Sequence, residues 1–143
     1  MAKGSGKEFR LDDQIGHLLR RAYQAASAHL ATRLAPYDLK PQQFATLARL
    51  RELGASSQNR LGEAVGMPRA NIHKMVERLC ARGLIETRED PDDARRRMVV
   101  LTRSGRRLVA ELIPLDEAST QDALAALSER DRRTLYRLLS RIA

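Results

Sequence analysis

Apolar residues recur at three- and four-residue steps along most of the chain, and only once does the pattern give way to a short extended stretch. Leu11, Ile15, Leu18, Ala22, Ala26, Leu30 and Leu34 form one stripe, widened by Leu19 and Tyr23. This predicts a first helix from Leu11 to about Leu34. Asp12 and Asp13 fall in its first turn, where the helix dipole favours acids, and Pro36 ends it. The helix is roughly twice the common length. So wide an apolar face on a long terminal helix calls for more than one covering surface, and a second subunit is a natural one.

The segment LKPQQFATLARLREL predicts a second helix, with Pro41 in its first turn, Phe44, Leu47, Ala48 and Leu50 inward and Gly54 as the stop. Ser56-Ser57 offers an N-cap for a short third helix, roughly Gln58 to Val65, carrying Leu61, Ala64 and Val65 inward. Gly66-Met67 reads as a tight turn. A fourth helix then runs from Pro68 to about Arg82, with Ile72, Met75, Val76 and Leu79 inward, and Gly83 follows as its C′ residue. Helix, glycine-containing turn, helix is the pattern of a helix-turn-helix.

The extended stretch comes next. Leu84 to Thr87 predicts a strand, the segment from Arg88 to Asp93 a turn rich in acids around Pro91, and Met98 to Leu101 a return strand with β-branched Val99 and Val100. Arg95, Arg96 and Arg97 are placed at the hairpin tip. Thr102 caps a fifth helix with Leu108, Val109, Leu112 and Leu115 on one face. Pro114 must kink or interrupt it, because its ring clashes with the preceding turn. Ser128, with Asp131 three residues on, opens a last helix with Leu135, Leu138, Leu139 and Ile142 inward. No internal repeat or low-complexity segment appears. The predicted fold is mainly α with a small β-hairpin wing: a winged helix-turn-helix with further helices at its N- and C-terminal ends.

Composition narrows the function. The 143 residues carry a formal charge of +8, 43% hydrophobic and 31% charged residues, which describes a globular chain that favours a polyanionic partner. The charge is concentrated: residues 60–107 hold twelve Lys/Arg against seven Asp/Glu, and these are the predicted helix-turn-helix and hairpin. Aromatics are only 3%, too few for a stacking platform on single strands. Nucleic acid is therefore the first candidate partner and an anionic membrane surface the second. No apolar run reaches the ~20 residues needed to cross a bilayer. The N-terminal MAKGSGKEFR has no apolar core, so it reads as a short mobile arm rather than a secretory signal. One cysteine, Cys80, excludes an intramolecular disulfide, and a cytoplasmic location is the default. His17, His29 and His73 have no metal-ligand spacing, and no cofactor is expected. No phosphate-binding glycine loop, nucleophile elbow or paired catalytic carboxylates are present, which argues against an enzyme.

The candidate contacts follow from position. On the fourth helix the polar side chains left outside are Arg69, Asn71, His73, Lys74 and Arg78, grouped toward the end that reads bases in such motifs. Arginine suits guanine and asparagine suits adenine. Gln58, Asn59 and Arg60 open the third helix, where the N-terminus attracts a phosphate strand. Arg95, Arg96 and Arg97 suit a narrow minor groove. Each of these runs has a plainer reading as a solvated face.

The segment DPDDARRRMVVLT resembles the wing signature of the MarR family of regulators, Asp-Pro-x-Asp-x-Arg followed after five residues by Leu-Thr. Here the matching residues are Asp90, Pro91, Asp93, Arg95, Leu101 and Thr102, with Gly105 three beyond the threonine. The preceding RLGEAVGMPRANIHKMVERLCARGLIE is similar to the family's helix-turn-helix, and the likeness extends over essentially the whole chain. It implies a single domain over residues 1–143, with dimerisation helices over 11–35 and 103–143 and a DNA-binding module over 40–102. It further implies a homodimer on a pseudo-palindromic operator, repression relieved by a small aromatic or phenolic ligand, and an ion pair through Asp93 that braces the wing. The opening FRLDDQIGHLLRRAYQ resembles members beside aromatic-acid degradation genes, some of which answer to an aryl-CoA thioester. The family's ligand site lies where the first, second and fifth helices meet the DNA module. His17, Arg20, Arg21, Tyr23, Tyr37 and Phe44 are the candidates there, the basic ones for a carboxylate or CoA phosphates. A cysteine-based redox sensor, a nonspecific architectural DNA-binding protein and a protein-interaction module stay open as alternatives.

Overall fold

The computed structural model describes residue 6 and residues 8–143; residues 1–5 and 7, within the segment read as an arm, lie outside the described residues. Among the described residues six α-helices, α1 (Ile15–Leu34), α2 (Pro41–Leu53), α3 (Gln58–Val65), α4 (Arg69–Ala81), α5 (Arg103–Ala123) and α6 (Glu129–Ile142), surround a small antiparallel sheet of β1 (Ser56–Ser57), β2 (Ile85–Asp90) and β3 (Asp93–Leu101). The sheet order is β1-β3-β2. The core lies where α2, α3, α4 and the root of the hairpin meet α5 and the end of α1. Leu34, Leu47, Leu50, Leu61, Ile72, Leu79, Ile85, Val99, Val109 and Leu112 are fully buried there. Each contributes roughly 1.5–3 kcal/mol over an exposed side chain.

Local chemistry sets most boundaries. Ser57 Oγ accepts the Arg60 N–H at 3.2 Å and so starts α3. Pro41 occupies the first turn of α2, while Gln43 Oε1 accepts the Lys40 N–H at 2.8 Å. Gly54, Gly66 and Gly83 all have φ near +70°, and each closes the helix before it. Ser128 Oγ accepts the Asp131 N–H at 3.1 Å and opens α6.

Five expectations are corrected. The helix expected from Leu11 begins at Ile15, because Leu11–Asp13 form a separate 3-10 turn and Gln14 is extended. Ser56-Ser57 do more than cap α3: they pair with Val99 and Met98 as a third strand. The hairpin is longer than predicted and its turn shorter. Asp90 pairs with Asp93, so Arg88–Asp90 belong to β2 and the three arginines lie on β3 rather than at the tip. Asp90 Oδ1 accepts the Asp92 N–H at 3.0 Å, an Asx turn that lets pairing continue to the last residue before the bend.

Pro114 does not interrupt α5, which runs unbroken from Arg103 to Ala123. An internal proline costs about 3 kcal/mol. Burial of Val109 and Leu112 on one side and the tie of Ser119 and Asp122 to Arg33 on the other offset that cost. Finally, Leu138, Leu139 and Ile142 face outward on this single chain, and Leu135 is only half-buried. The first half of α1 is similarly bare: Ile15 is 66% and Tyr23 57% exposed.

Candidate nucleic-acid interface and effector cleft

The α3-turn-α4 unit is held tightly. Met67 N–H donates to Gly62 O at 2.8 Å, and Asn71 and Ile72 N–H both donate to Pro68 O at 3.0 Å. Proline at the start of α4 is favourable, since a helix's first residues have no intrahelical use for an N–H. The inward residues of α4 are Ile72, Met75, Val76 and Leu79, all buried. Arg69, Asn71, His73, Lys74 and Arg78 are all exposed. The 3.6-residue period alone produces that division.

Two candidate contacts are tied to each other. Gln58 Nε2 lies 3.4 Å from His73 Nδ1, and His73 Nε2 lies 3.2 Å from Glu77. The imidazole therefore accepts from Gln58 and donates to Glu77 in its neutral form. Gln58 is half-buried, whereas Asn59 and Arg60 are exposed beside it. On the wing, Arg95, Arg96 and Arg97 are exposed and none is ion-paired among the described residues. Alternation along β3 puts Arg95 and Arg97 on one face and Arg96 on the other. Asp93 makes no ion pair among the described residues; its Oδ1 instead accepts the Arg95 N–H at 3.0 Å, so it braces the turn through the backbone.

The root of the wing is anchored by Thr102. Its hydroxyl donates to Gly83 O at 2.6 Å and accepts the Gly105 N–H at 3.0 Å, while its own N–H donates to Leu84 O at 3.1 Å. One residue thus joins the end of α4, the start of β2 and the start of α5. Gly105 lies so close to Leu84 that a Cβ would sit 2.0 Å from the Leu84 carbonyl oxygen. This geometry is the physical content of the Leu-Thr-x-x-Gly pattern.

Behind the recognition surface are two clefts that share part of their lining. The larger, about 970 Å³, runs between α1, the start of α2 and the far half of α4, with Gln24, Lys40, Met75, Arg78 and Arg82 in its walls. The smaller, about 470 Å³, is lined by Leu30, Phe44, Met67, Pro68, Asn71 and Asp116. Tyr23, Ser27, Pro41 and Gln42 belong to both. Arg82 is occupied: its guanidinium donates to Asp38 O at 2.5 Å and Tyr37 O at 2.8 Å. That grip holds Asp38 in the left-handed region, at φ 51°.

Of the six candidate ligand residues, Tyr23 and Phe44 line the clefts. The others do not. His17 and Arg21 each lie 3.6 Å from Asp12, at the open end of α1, and Arg20 is exposed. Tyr37 turns its hydroxyl away to donate to Glu111 at 3.1 Å, a bond that pushes its pKa up. Their helical spacing put them on α1 or near α2, but not on the side of α1 that faces α2 and α4.

Asp116 was missed. Gly105, Val109, Leu112 and Ser119 are the buried residues of α5, and Asp116 occupies the vacant step of that stripe. An acid at a core-facing step was a signal available in the sequence. Burial, with the charge of Glu117 next to it, raises its pKa. Cys80 is half-buried on α4; desolvation and the charge of Glu86 push its thiol up, away from the reactive thiolate.

An exposed polar helix face, an arginine-bearing hairpin and a brace between them define a winged helix-turn-helix DNA-binding protein. The model of the MarR family matches residues 37–96. The chain is 36% identical over 134 residues to the HTH-type transcriptional repressor NicR of Pseudomonas putida, covering 94% of this chain and 85% of that one. It superposes on a probable transcriptional regulator from Pseudomonas aeruginosa with a TM-score of 0.88 at 42% identity, over 94% of this chain and all of that one. Bordetella bronchiseptica BpsR, whose DNA binding is regulated by 6-hydroxynicotinic acid, matches with a TM-score of 0.88 at 35% identity over 95% and 97% of the two chains. The chain belongs to the MarR family and is a DNA-binding transcriptional regulator.

Proposed function

We propose that the protein is a homodimeric, sequence-specific repressor of a neighbouring operon, released from its operator by a small aromatic acid or its CoA thioester. The observation that carries this reading is the shared wall: Asn71 and Arg78 belong to the exposed face of α4 and also line the clefts. A molecule in the cleft touches the helix that would enter the major groove. Similarity to NicR supports repression, and similarity to BpsR, whose DNA binding is regulated by 6-hydroxynicotinic acid, supports an aromatic-acid effector.

The division of labour follows the sequence expectation. Residues 40–102 form the DNA-binding module, and residues 11–35 and 103–143 form the dimer base. The bare apolar faces of α1 and α6 are the surfaces a second copy would cover. Arg69, Asn71, Lys74 and Arg78 read the major groove, with His73 positioned by Gln58 and Glu77. Asn59 and Arg60 meet phosphate at the start of α3, and Arg95, Arg96 and Arg97 flank the minor groove. The protein acts without catalysis, in the cytoplasm; among the described residues no helix is long and apolar enough to cross a membrane.

Relief of repression is a population shift toward a dimer whose recognition helices are wrongly spaced. A coupling of ~1–3 kcal/mol changes operator affinity by about 5- to 150-fold. Footprinting on the protein's own upstream DNA should reveal two half-sites about one helical turn apart. Arg95→Ala should lower operator affinity roughly tenfold and flatten the salt dependence by about one unit per half-site, with the dimer intact. Equal affinity for random and upstream DNA at ~150 mM salt would leave the nonspecific architectural reading in its place.

A further inference from the structure

Asp116 is the unusual group of the molecule. It projects from the core-facing stripe of α5 into the smaller cleft, beside Tyr23, Ser27, Phe44 and Asn71. It makes no hydrogen bond or ion pair among the described residues. No Lys, Arg or His lines that cleft. A carboxylate there accepts hydrogen bonds and cannot donate them. Half-buried and without a protein partner among the described residues, it is an acceptor open to any donor that enters the cleft. Burial has already raised its pKa.

The neighbouring larger cleft has the opposite character. Lys40 and Arg78 line it, and neither is ion-paired among the described residues, while Arg82 is committed to backbone carbonyls. One cleft therefore carries an unpaired acid and its neighbour two unpaired cations, with Tyr23, Ser27, Pro41 and Gln42 lining both. A ligand carboxylate is repelled by the Asp116 carboxylate, so a ring acid in the smaller cleft turns its own carboxylate away from Asp116. The opposite edge of its ring then faces Asp116.

We propose that Asp116 is a specificity-determining residue of the effector site, accepting a hydrogen bond from the ligand and so selecting ring acids that carry an O–H or ring N–H donor at the end away from the carboxylate. This rests on the effector reading above and deepens it. Asp116 discriminates between ligands of similar size and equal charge, and it fixes their orientation with the carboxylate turned away from it.

The test uses the full chain and two probes that differ at one position: 6-hydroxynicotinic acid and nicotinic acid. Titration calorimetry gives both affinities for wild type, Asp116→Ala and Asp116→Leu. The leucine variant extends the apolar stripe with the same branching at Cγ, and melting curves check that both variants fold. Wild type should bind the hydroxylated probe tenfold or more tightly than the other, as a charge-assisted hydrogen bond requires. In both variants the preference should shrink to within about threefold, through loss of affinity for the hydroxylated probe alone. A preference that survives in the variants, or wild-type affinities that are equal, overturns the role of Asp116 while the effector reading stands. If neither acid binds wild type, the role proposed for Asp116 is overturned, and release of a preformed operator complex by other aromatic acids or their CoA thioesters decides the effector reading separately.

Discussion

Replacing Gly105 with alanine sets two effects against each other, and the structure decides which wins. Gly105 is in the first turn of α5, where alanine would ordinarily stabilise a helix by up to ~1 kcal/mol. The added methyl, however, would sit 2.0 Å from the Leu84 carbonyl oxygen, 3.0 Å from the Leu84 carbonyl carbon and 3.2 Å from Leu101 Cδ2. The first two are backbone atoms in the root of the wing, where Leu84 O already accepts the Thr102 N–H. They cannot swing aside as a flexible side chain would. Overpacking of this kind costs roughly 1–3 kcal/mol, and loss of the Thr102 bond would add about 1 kcal/mol. The net expectation for Gly105→Ala is a destabilisation of about 2 kcal/mol. At fixed protomer concentration that lowers the melting temperature by roughly 4–8 °C for a chain of this size. The wing would also tilt away from α5, so operator affinity should fall more than stability alone accounts for. Thermal and urea melts, with operator titrations on the folded fraction, measure both. A variant as stable as wild type or more so would show that the close approach is not constraining and that the Leu-Thr-x-x-Gly pattern has another cause.

Three further outcomes follow from the same geometry. Arg82→Ala removes two charge-assisted bonds to Tyr37 and Asp38 and leaves Asp38 in a left-handed conformation that costs ~1 kcal/mol; melting should drop by about 1–2 kcal/mol, and an unchanged melt would mean the tie holds nothing. Cys80, with its thiol raised by burial and Glu86, should alkylate more slowly at pH 7 than free cysteine, and Cys80→Ala should bind operator like wild type; peroxide release of DNA that this variant abolishes would restore the redox alternative. For Asp116, the folded pKa lies above the unfolded value of about 3.9. Its contribution to stability is thus fully present below that value and is lost as pH rises through the folded pKa. Asp116→Asn should therefore melt higher than wild type at pH 7, and the gap should close near pH 3.5, as paired melts across that range would show.

The sequence determined what depends on local periodicity and on residue type. The helical stripe of α4 fixed which side chains are buried and which are exposed, because a 3.6-residue turn leaves no choice once Ile72, Met75, Val76 and Leu79 must leave water. Gly54, Gly66 and Gly83 marked their helix ends because left-handed backbone excludes most side chains. Ser57, Thr102 and Ser128 marked helix starts because orphan N–H groups need an acceptor. Other features depended on residues far apart in the chain. Ser56 and Ser57 became a strand only because Val99 and Met98 come alongside. Pro114 stayed inside α5 because contacts on both sides outweigh one lost hydrogen bond. The ligand candidates divided because periodicity gives a helix a polar side but does not say which neighbour that side meets. Tyr23 faces α2 and α4, whereas His17 and Arg21 turn to Asp12. Asp116 stood in the sequence as an acid at a core-facing step. That this step opens into a cleft against the recognition helix was decided only by packing α5 against α1 and α2, since a cavity is made by several elements together and belongs to none of them alone.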